Sequence, residues 1–171
     1  MAGSSTRQCV ALYTAEERAR RDQTVWTLVQ GILAPIQFLA FIISAILIAR
    51  YLLSGDGAMA AHASIVVKTL LLYAIMITGS IWEKVVFGRY LFAPAFFWED
   101  VFSMVVLALH TAYLAALLSG ALDTTQLLWL ALAAYFTYVV NATQFIVKLR
   151  QARLSRSDDP TGAPFAEGAA S

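Results

Sequence analysis

The chain has 171 residues, 60% of them hydrophobic and 13% charged, with a net charge of +1 and a mean hydropathy of +0.68. That balance excludes an ordinary soluble domain and indicates an integral membrane protein, with no nucleic acid partner expected. Cys9 is the only cysteine, so a disulfide framework or a CxxC redox motif within one chain is also excluded.

Residues 1–13 form a tail without the short apolar core and cleavage site of a secretory signal, and the first span is expected to stay as a signal anchor. Thr14-Ala15-Glu16-Glu17 has capping-box spacing. A helix starting there and running to about Leu53 would exceed the bilayer thickness. Its first turns would then lie in the cytoplasm, with Arg18, Arg20 and Arg21 at the headgroups.

Four stretches approach or exceed the roughly 20 apolar residues that cross a hydrocarbon core: 25–53, 64–82, 101–118 and 127–147. Pro35 is expected to kink the first. Ser54-Gly55-Asp56-Gly57 reads as a turn, as does Ser119-Gly120, after which Asp123 or Thr124 can cap the fourth helix. Ala108, Ala112, Ala116 and Gly120 fall four residues apart and allow a neighbour close approach. From Ser155 onward no core-forming pattern remains, and 155–171 reads as a disordered tail. The short connections predict an all-α integral membrane four-helix bundle with antiparallel neighbours, residues 14–154 forming one domain.

Basic residues set the expected orientation. Arg7, Arg18, Arg20 and Arg21 precede the first span, Lys84 and Arg89 lie between the second and third, and Lys148, Arg150, Arg153 and Arg156 follow the fourth. Arg50 and Lys68 fall on the other side. Both termini and the central connection are therefore expected in the cytoplasm.

Polar residues recur on one side of each span: Thr27, Gln30, Gln37 and Ser44, then Thr69, Tyr73, Ser80 and Glu83. Glu99, Ser103, His110 and Tyr113 continue the pattern on the third, and Tyr138, Asn141, Gln144 and Lys148 on the fourth. Lipid cannot satisfy such groups, so the four faces should converge inward. Interhelical hydrogen bonds worth about 1 kcal/mol each would explain single hydroxyls and amides. Stripes that end in carboxylates at one membrane face suggest a polar cavity open there.

The connection over 81–100 carries Glu83, Lys84, Glu99 and Asp100 among Trp82, Phe87, Tyr90, Phe92, Phe96, Phe97 and Trp98. Aromatic residues are common at membrane interfaces, and end charges commonly pair with neighbours such as Lys84 or Arg89. The same residues offer a flat apolar surface beside acid and base, because of two partly buried carboxyl groups one can hold a proton while the other stays ionised. His110 is the only histidine well inside a span. It can hydrogen-bond, relay a proton or ligate a metal. Two facing histidines for haem are not available within one subunit.

Trp82-Glu83-Lys84-Val85-Val86-Phe87-Gly88-Arg89-Tyr90, continuing to Phe96-Phe97-Trp98-Glu99-Asp100, resembles the vinyl bacteriochlorophyllide hydratases. Runs 12–22, 25–31, 108–113 and 138–145 carry the resemblance further, across about 12–153 in all. It implies an enzyme of bacteriochlorophyll synthesis in a photosynthetic bacterium, multi-pass in the cytoplasmic or intracytoplasmic membrane. The enzyme would add water to the C3 vinyl group of chlorophyllide a or 3-vinyl bacteriochlorophyllide, giving the 1-hydroxyethyl pigment.

Chemistry alone then assigns roles. Hydration needs an acid to protonate the terminal vinyl carbon and a base to orient water, which suits Glu83 and Glu99, with Asp100 in reserve. His110 is a plausible axial ligand of the substrate's magnesium or a proton relay, while the protein itself needs no metal or redox cofactor. Lys84, Arg89 or Lys148 could pair with the pigment's propionate, Asn141 and Gln144 could position the water or a ring carbonyl, and Tyr113 completes the binding site. Expected partners are the pigment, the lipid bilayer, other enzymes of the same synthesis and further copies of the chain. A small proton-coupled transporter and a pigment-holding assembly factor are the alternatives.

Overall fold

The computed structural model describes residues 12–157, and the regular structure among them is helical: α1 (Ala15–Gln23), α2 (Val25–Ser54), α3 (Ala58–Phe87), α4 (Phe97–Ser119) and α5 (Thr124–Ser157). Four segments are long and apolar enough to cross a membrane: α2, α3, α4 and Thr124–Arg150 of α5. They match the four expected spans but run further at their ends. Hydropathy reports the hydrocarbon-crossing length, whereas the helices continue into polar residues such as Glu83, Lys84 and Arg150. α5 also takes in Ser155, Arg156 and Ser157, which were expected in the C-terminal tail. The rest of that tail, and residues 1–11 with Cys9, lie outside the described residues.

The expected single helix from Thr14 to about Leu53 is corrected to two. Thr24 breaks it with an extended backbone (φ −82°, ψ 137°) and caps α2, its hydroxyl accepting from the Trp26 N–H at 3.4 Å. The Thr27 hydroxyl donates to the Arg21 carbonyl at 2.6 Å across the break. Such side-chain bonds give the backbone an alternative to continuing the helix. The capping box at Thr14 is present, with Thr14 N–H donating to Glu17 at 2.8 Å and Glu17 N–H to the Thr14 hydroxyl at 3.2 Å. Asp123 and Gln126 make the same reciprocal arrangement at the start of α5.

Polar contacts join the long helices in pairs. Gln30 donates to Thr78 at 2.7 Å, Ser44 meets Ser64 at 2.8 Å, and the Tyr135 hydroxyl donates to Ser44 at 2.6 Å. Around these bonds Ile48, Ile65, Tyr113, Leu128 and Tyr135 form the main core. Leu39, Ile43, Ile46, Leu70 and Phe136 are exposed on the outside, where lipid would meet them. Ala108, Ala112 and Gly120 also face outward, and of that small-residue stripe Ala116 packs against the core.

A second cluster of Tyr13, Val86 and Phe96, flanked by Trp82, Phe87 and Phe145, closes the bundle end near Glu83. Tyr13 stacks on Phe87 at 5.7 Å, with the Arg21 guanidinium 4.8 Å above its ring. Burial raises the Tyr13 pKa above its ordinary value, and Arg21 opposes that shift.

Replacing Ser44 by Ala should lower stability by about 1–3 kcal/mol, because the buried Tyr135 hydroxyl loses its acceptor. Adding Tyr135→Phe should recover most of the loss; denaturant unfolding in detergent micelles measures both.

Candidate active site

The connection between α3 and α4 folds back over the ends of both helices. Gly88, at φ 79°, ends α3. Phe92 is held at φ 59°, a left-handed conformation unusual for an aromatic residue, and this aims its N–H at Asp100. The hydrogen bond to Asp100 Oδ2 is 2.7 Å long, and the adjacent Ala93 N–H donates to Glu83 Oε2 at 3.3 Å. Phe96 N–H to Ala93 carbonyl, at 2.8 Å, closes the turn.

Glu83 and Asp100, 6% and 4% exposed, are brought side by side by this turn, because the N–H groups of two consecutive residues hold one carboxyl each. Two buried carboxyl groups side by side disfavour double ionisation, an arrangement in which one can hold a proton while the other is charged. Glu99 is arranged differently. Its Oε2 accepts from Lys148 Nζ at 2.6 Å, and the ion pair borders an open cleft of about 340 Å³ also lined by Thr143, Gln144 and Val147. The carboxyl that meets Glu83 is therefore Asp100, the expected reserve, rather than Glu99.

The other expected site residues divide into two groups. Asn141 donates from Nδ2 to the Ser103 hydroxyl at 2.9 Å, one helical turn inward from Glu99 and Asp100. Gln144 and Lys148 line the cleft. Lys84 is exposed, donates to the Gly88 carbonyl at 2.9 Å and lies 5.3 Å from the Tyr90 ring centre; Arg89 is exposed beside it. His110 and Tyr113 are not brought to this place. They lie 10 and 13 residues beyond Asp100, about 15 and 20 Å along α4.

His110 is fully buried, and both ring nitrogens are engaged. The Val106 carbonyl can only accept, so Nδ1 carries the hydrogen in their 2.8 Å bond and Nε2 is the acceptor for Lys68 Nζ at 2.6 Å. Of the expected roles, hydrogen bonding inside the bundle is the one this arrangement shows, with both ring nitrogens engaged. Tyr113, also fully buried, bonds His62 at 2.6 Å instead of lining the substrate site.

Lys68 is a second correction. The count of basic residues put it at the outer membrane side, yet it is fully buried in α3, over the rings of Tyr138 at 4.2 Å and Tyr135 at 4.8 Å. A lysine between the apolar runs Ile65-Val66-Val67 and Leu70-Leu71-Leu72 was the available sequence signal. The backbone donors of Phe92 and Ala93 had none, because side-chain identity does not announce a folded-back turn.

The aromatic residues of the connection also separate. Trp82, Phe87 and Phe96 pack internally, and Trp82 donates to the Thr27 hydroxyl at 2.9 Å. Tyr90, Phe92, Phe97 and Trp98 are exposed, with Phe97 against Phe92 at 5.8 Å and Trp98 at 5.5 Å.

Against known proteins, the family model described as 2-vinyl bacteriochlorophyllide hydratase (BCHF) matches residues 13–151. A protein named 2-vinyl bacteriochlorophyllide hydratase from Rhodobacter capsulatus is 66% identical over 152 residues, covering 89% of this chain and 88% of its own. A protein of the same name from Cereibacter sphaeroides is 68% identical over 143 residues, covering 84% and 89%. No solved structure matches the chain significantly.

The buried Lys68–His110 contact makes a stability prediction. His110→Leu leaves the amine without its acceptor and should cost about 2–3 kcal/mol. Lys68→Met in the same background should restore most of it, and a double-mutant cycle of unfolding free energies gives the coupling.

Proposed function

The chain belongs to the 2-vinyl bacteriochlorophyllide hydratase family, and on that premise we propose that it adds water to the vinyl group of a chlorophyllide or bacteriochlorophyllide, numbered 2 in the family name and C3 in the alternative numbering. The observation that carries the reading at the level of chemistry is the pair of buried carboxyl groups, Glu83 and Asp100, held by adjacent N–H groups of one turn that also carries the exposed Phe92. A hydratase of this kind requires a proton donor and a proton acceptor within reach of one flat apolar substrate, and no change of oxidation state.

Glu83 acts as the acid and delivers its proton to the terminal vinyl carbon, which becomes a methyl group. Positive charge develops on the carbon joined to the ring and spreads into the macrocycle. Asp100, which accepts the shorter backbone hydrogen bond and is thereby suited to the ionised role, receives a proton from the attacking water as its oxygen bonds that carbon. The negative charge of Asp100 also stabilises the cation. Phe92, Phe97, Tyr90 and Trp98 meet the macrocycle, while exposed Arg89 and Lys84 pair with the propionate at the rim. Glu99 and Lys148 border the cleft as an ion pair.

The pairings of Gln30 with Thr78, Ser44 with Ser64, and Glu99 with Lys148 support antiparallel neighbours in a four-helix bundle. The distribution of basic residues supports a cytoplasmic location for the carboxyl end and for both termini. The membrane is then the bacterial inner or photosynthetic membrane, where apolar pigments pass between successive enzymes.

The test uses membranes from a host without bacteriochlorophyll that express the chain, supplied with chlorophyllide a. A pigment heavier by one water, absent from the empty-vector control, is expected on mass spectrometry; folded protein that binds the pigment and returns it unchanged would sink the hydratase reading in favour of a carrier. Glu83→Gln and Asp100→Asn should each lower turnover about 100-fold or more, with pigment affinity little altered. Arg89→Ala should act chiefly on KM.

A further inference from the structure

The nine-residue helix α1 has no buried residue, so packing of an apolar face cannot be what attaches it to the bundle. It is fixed instead by contacts at its two ends. Ahead of it, the buried Tyr13 ring stacks on Phe87 at 5.7 Å, with the Phe96 ring 6.2 Å away. Behind it, the Thr27 hydroxyl donates to the Arg21 carbonyl at 2.6 Å and accepts from Trp82 Nε1 at 2.9 Å. Thr27 thus spends its one hydrogen on α1 and a lone pair on the indole of α3.

Both attachments end on residues next to the carboxyl groups. Trp82 immediately precedes Glu83 near the end of α3. Phe96 lies one turn before Asp100, whose N–H donates to the Phe96 carbonyl at 3.0 Å. The Phe96 N–H in turn reaches the carbonyl of Ala93, the residue whose own N–H holds Glu83. Trp82 and Phe96 meet edge to face at 5.8 Å, and Phe87 closes the group at 5.7 Å from Trp82 and 5.8 Å from Phe96. Three rings in mutual contact fix the backbone at 82–83 against the backbone at 93–100, and with it one carboxyl against the other. Thr27 tethers the first of these rings, and Tyr13 backs the other two.

We propose that Thr27 and Tyr13 are positioning residues for hydration: they brace Trp82, Phe87 and Phe96, and through those rings set the spacing of Glu83 and Asp100. This deepens the hydratase reading and rests on it. Each acts through another side chain and takes no proton itself. An error of about 1 Å in such a spacing can cost about 100-fold in rate.

Purified full-length protein is assayed with chlorophyllide a for kcat and KM. The infrared bands of the carboxyl pair, identified by their change in Glu83→Gln and Asp100→Asn, are recorded on the same proteins without pigment. Thr27→Val, which keeps the shape and removes the hydroxyl, and Tyr13→Ala should each lower kcat about ten-fold or more, hold KM within about two-fold, and shift those bands. Thr27→Ser and Tyr13→Phe, which keep the hydroxyl and the ring, should restore both readouts. Because Thr27 and Trp82 act through one bond, Thr27→Val combined with Trp82→Phe should be no slower than the slower single variant.

Variants that lose activity only in proportion to folded protein, with the carboxyl bands unchanged, overturn the positioning role and leave the hydratase reading intact. Wild-type protein that makes no hydrated pigment overturns the hydratase reading, and the bands then decide the brace alone. Bands that move in Thr27→Val and return in Thr27→Ser uphold it; bands that stay in place overturn it. Should Tyr13→Ala fail to fold, the milder Tyr13→Leu makes the same measurement.

Discussion

The side-by-side placement of Glu83 and Asp100 is the constraint around which the charged end of the protein is organised. Neither carboxyl group could be buried alone at the end of an apolar helix without a large desolvation cost. Each is made tolerable by the other and by a backbone N–H from the same turn, which Phe92 enters at positive φ. The turn therefore holds the helices together and sets the spacing of the acid and base in one act. Its strain, of order 1–3 kcal/mol, is sustained by the Phe96 cluster packed beneath it.

The interior obeys the same rule with different groups. Lys68 is held by a histidine acceptor and two tyrosine rings, and Tyr135 by the Ser44–Ser64 pair, so the deepest polar atoms form closed sets. Among the described residues, Gln37, Asn141 and Gln144 keep buried amide atoms for which the protein supplies no partner. A fully satisfied network makes a rigid scaffold, whereas unspent hydrogen-bonding capacity makes a place for a small polar guest.

The range over which each interaction acts explains what could be read from the residues and what could not. Span number, the Thr14 and Asp123 caps and the inward polar stripes follow from local periodicity and capping chemistry, which act within one or two helical turns. The Thr24 break escaped because the apolar signal on either side continues without interruption; the break depends on two hydroxyls choosing backbone partners. That Asp100 rather than Glu99 lies beside Glu83 is a difference of one position, about 100° around a helix, and only the fold of the 88–96 connection decides it. Periodicity leaves His110 open to hydrogen bonding, proton relay or metal ligation, because it places Lys68 on the other side rather than against the ring. Placing that lysine inside engages the second nitrogen.

The carboxyl pair also bears on how a catalytic cycle would close. In the proposed reaction Glu83 ends the turnover without its proton and Asp100 ends it with one, while the same turn keeps the two groups side by side. A proton passed from Asp100 back to Glu83 restores the starting state, so the scheme needs no net exchange with solvent between turnovers. A membrane enzyme of this design can exclude bulk water from its cationic intermediate and admit only the molecule it consumes. The buried Lys68–His110 contact lies some 15 Å away along α4 and joins α3 to α4, the two helices that carry the carboxyls.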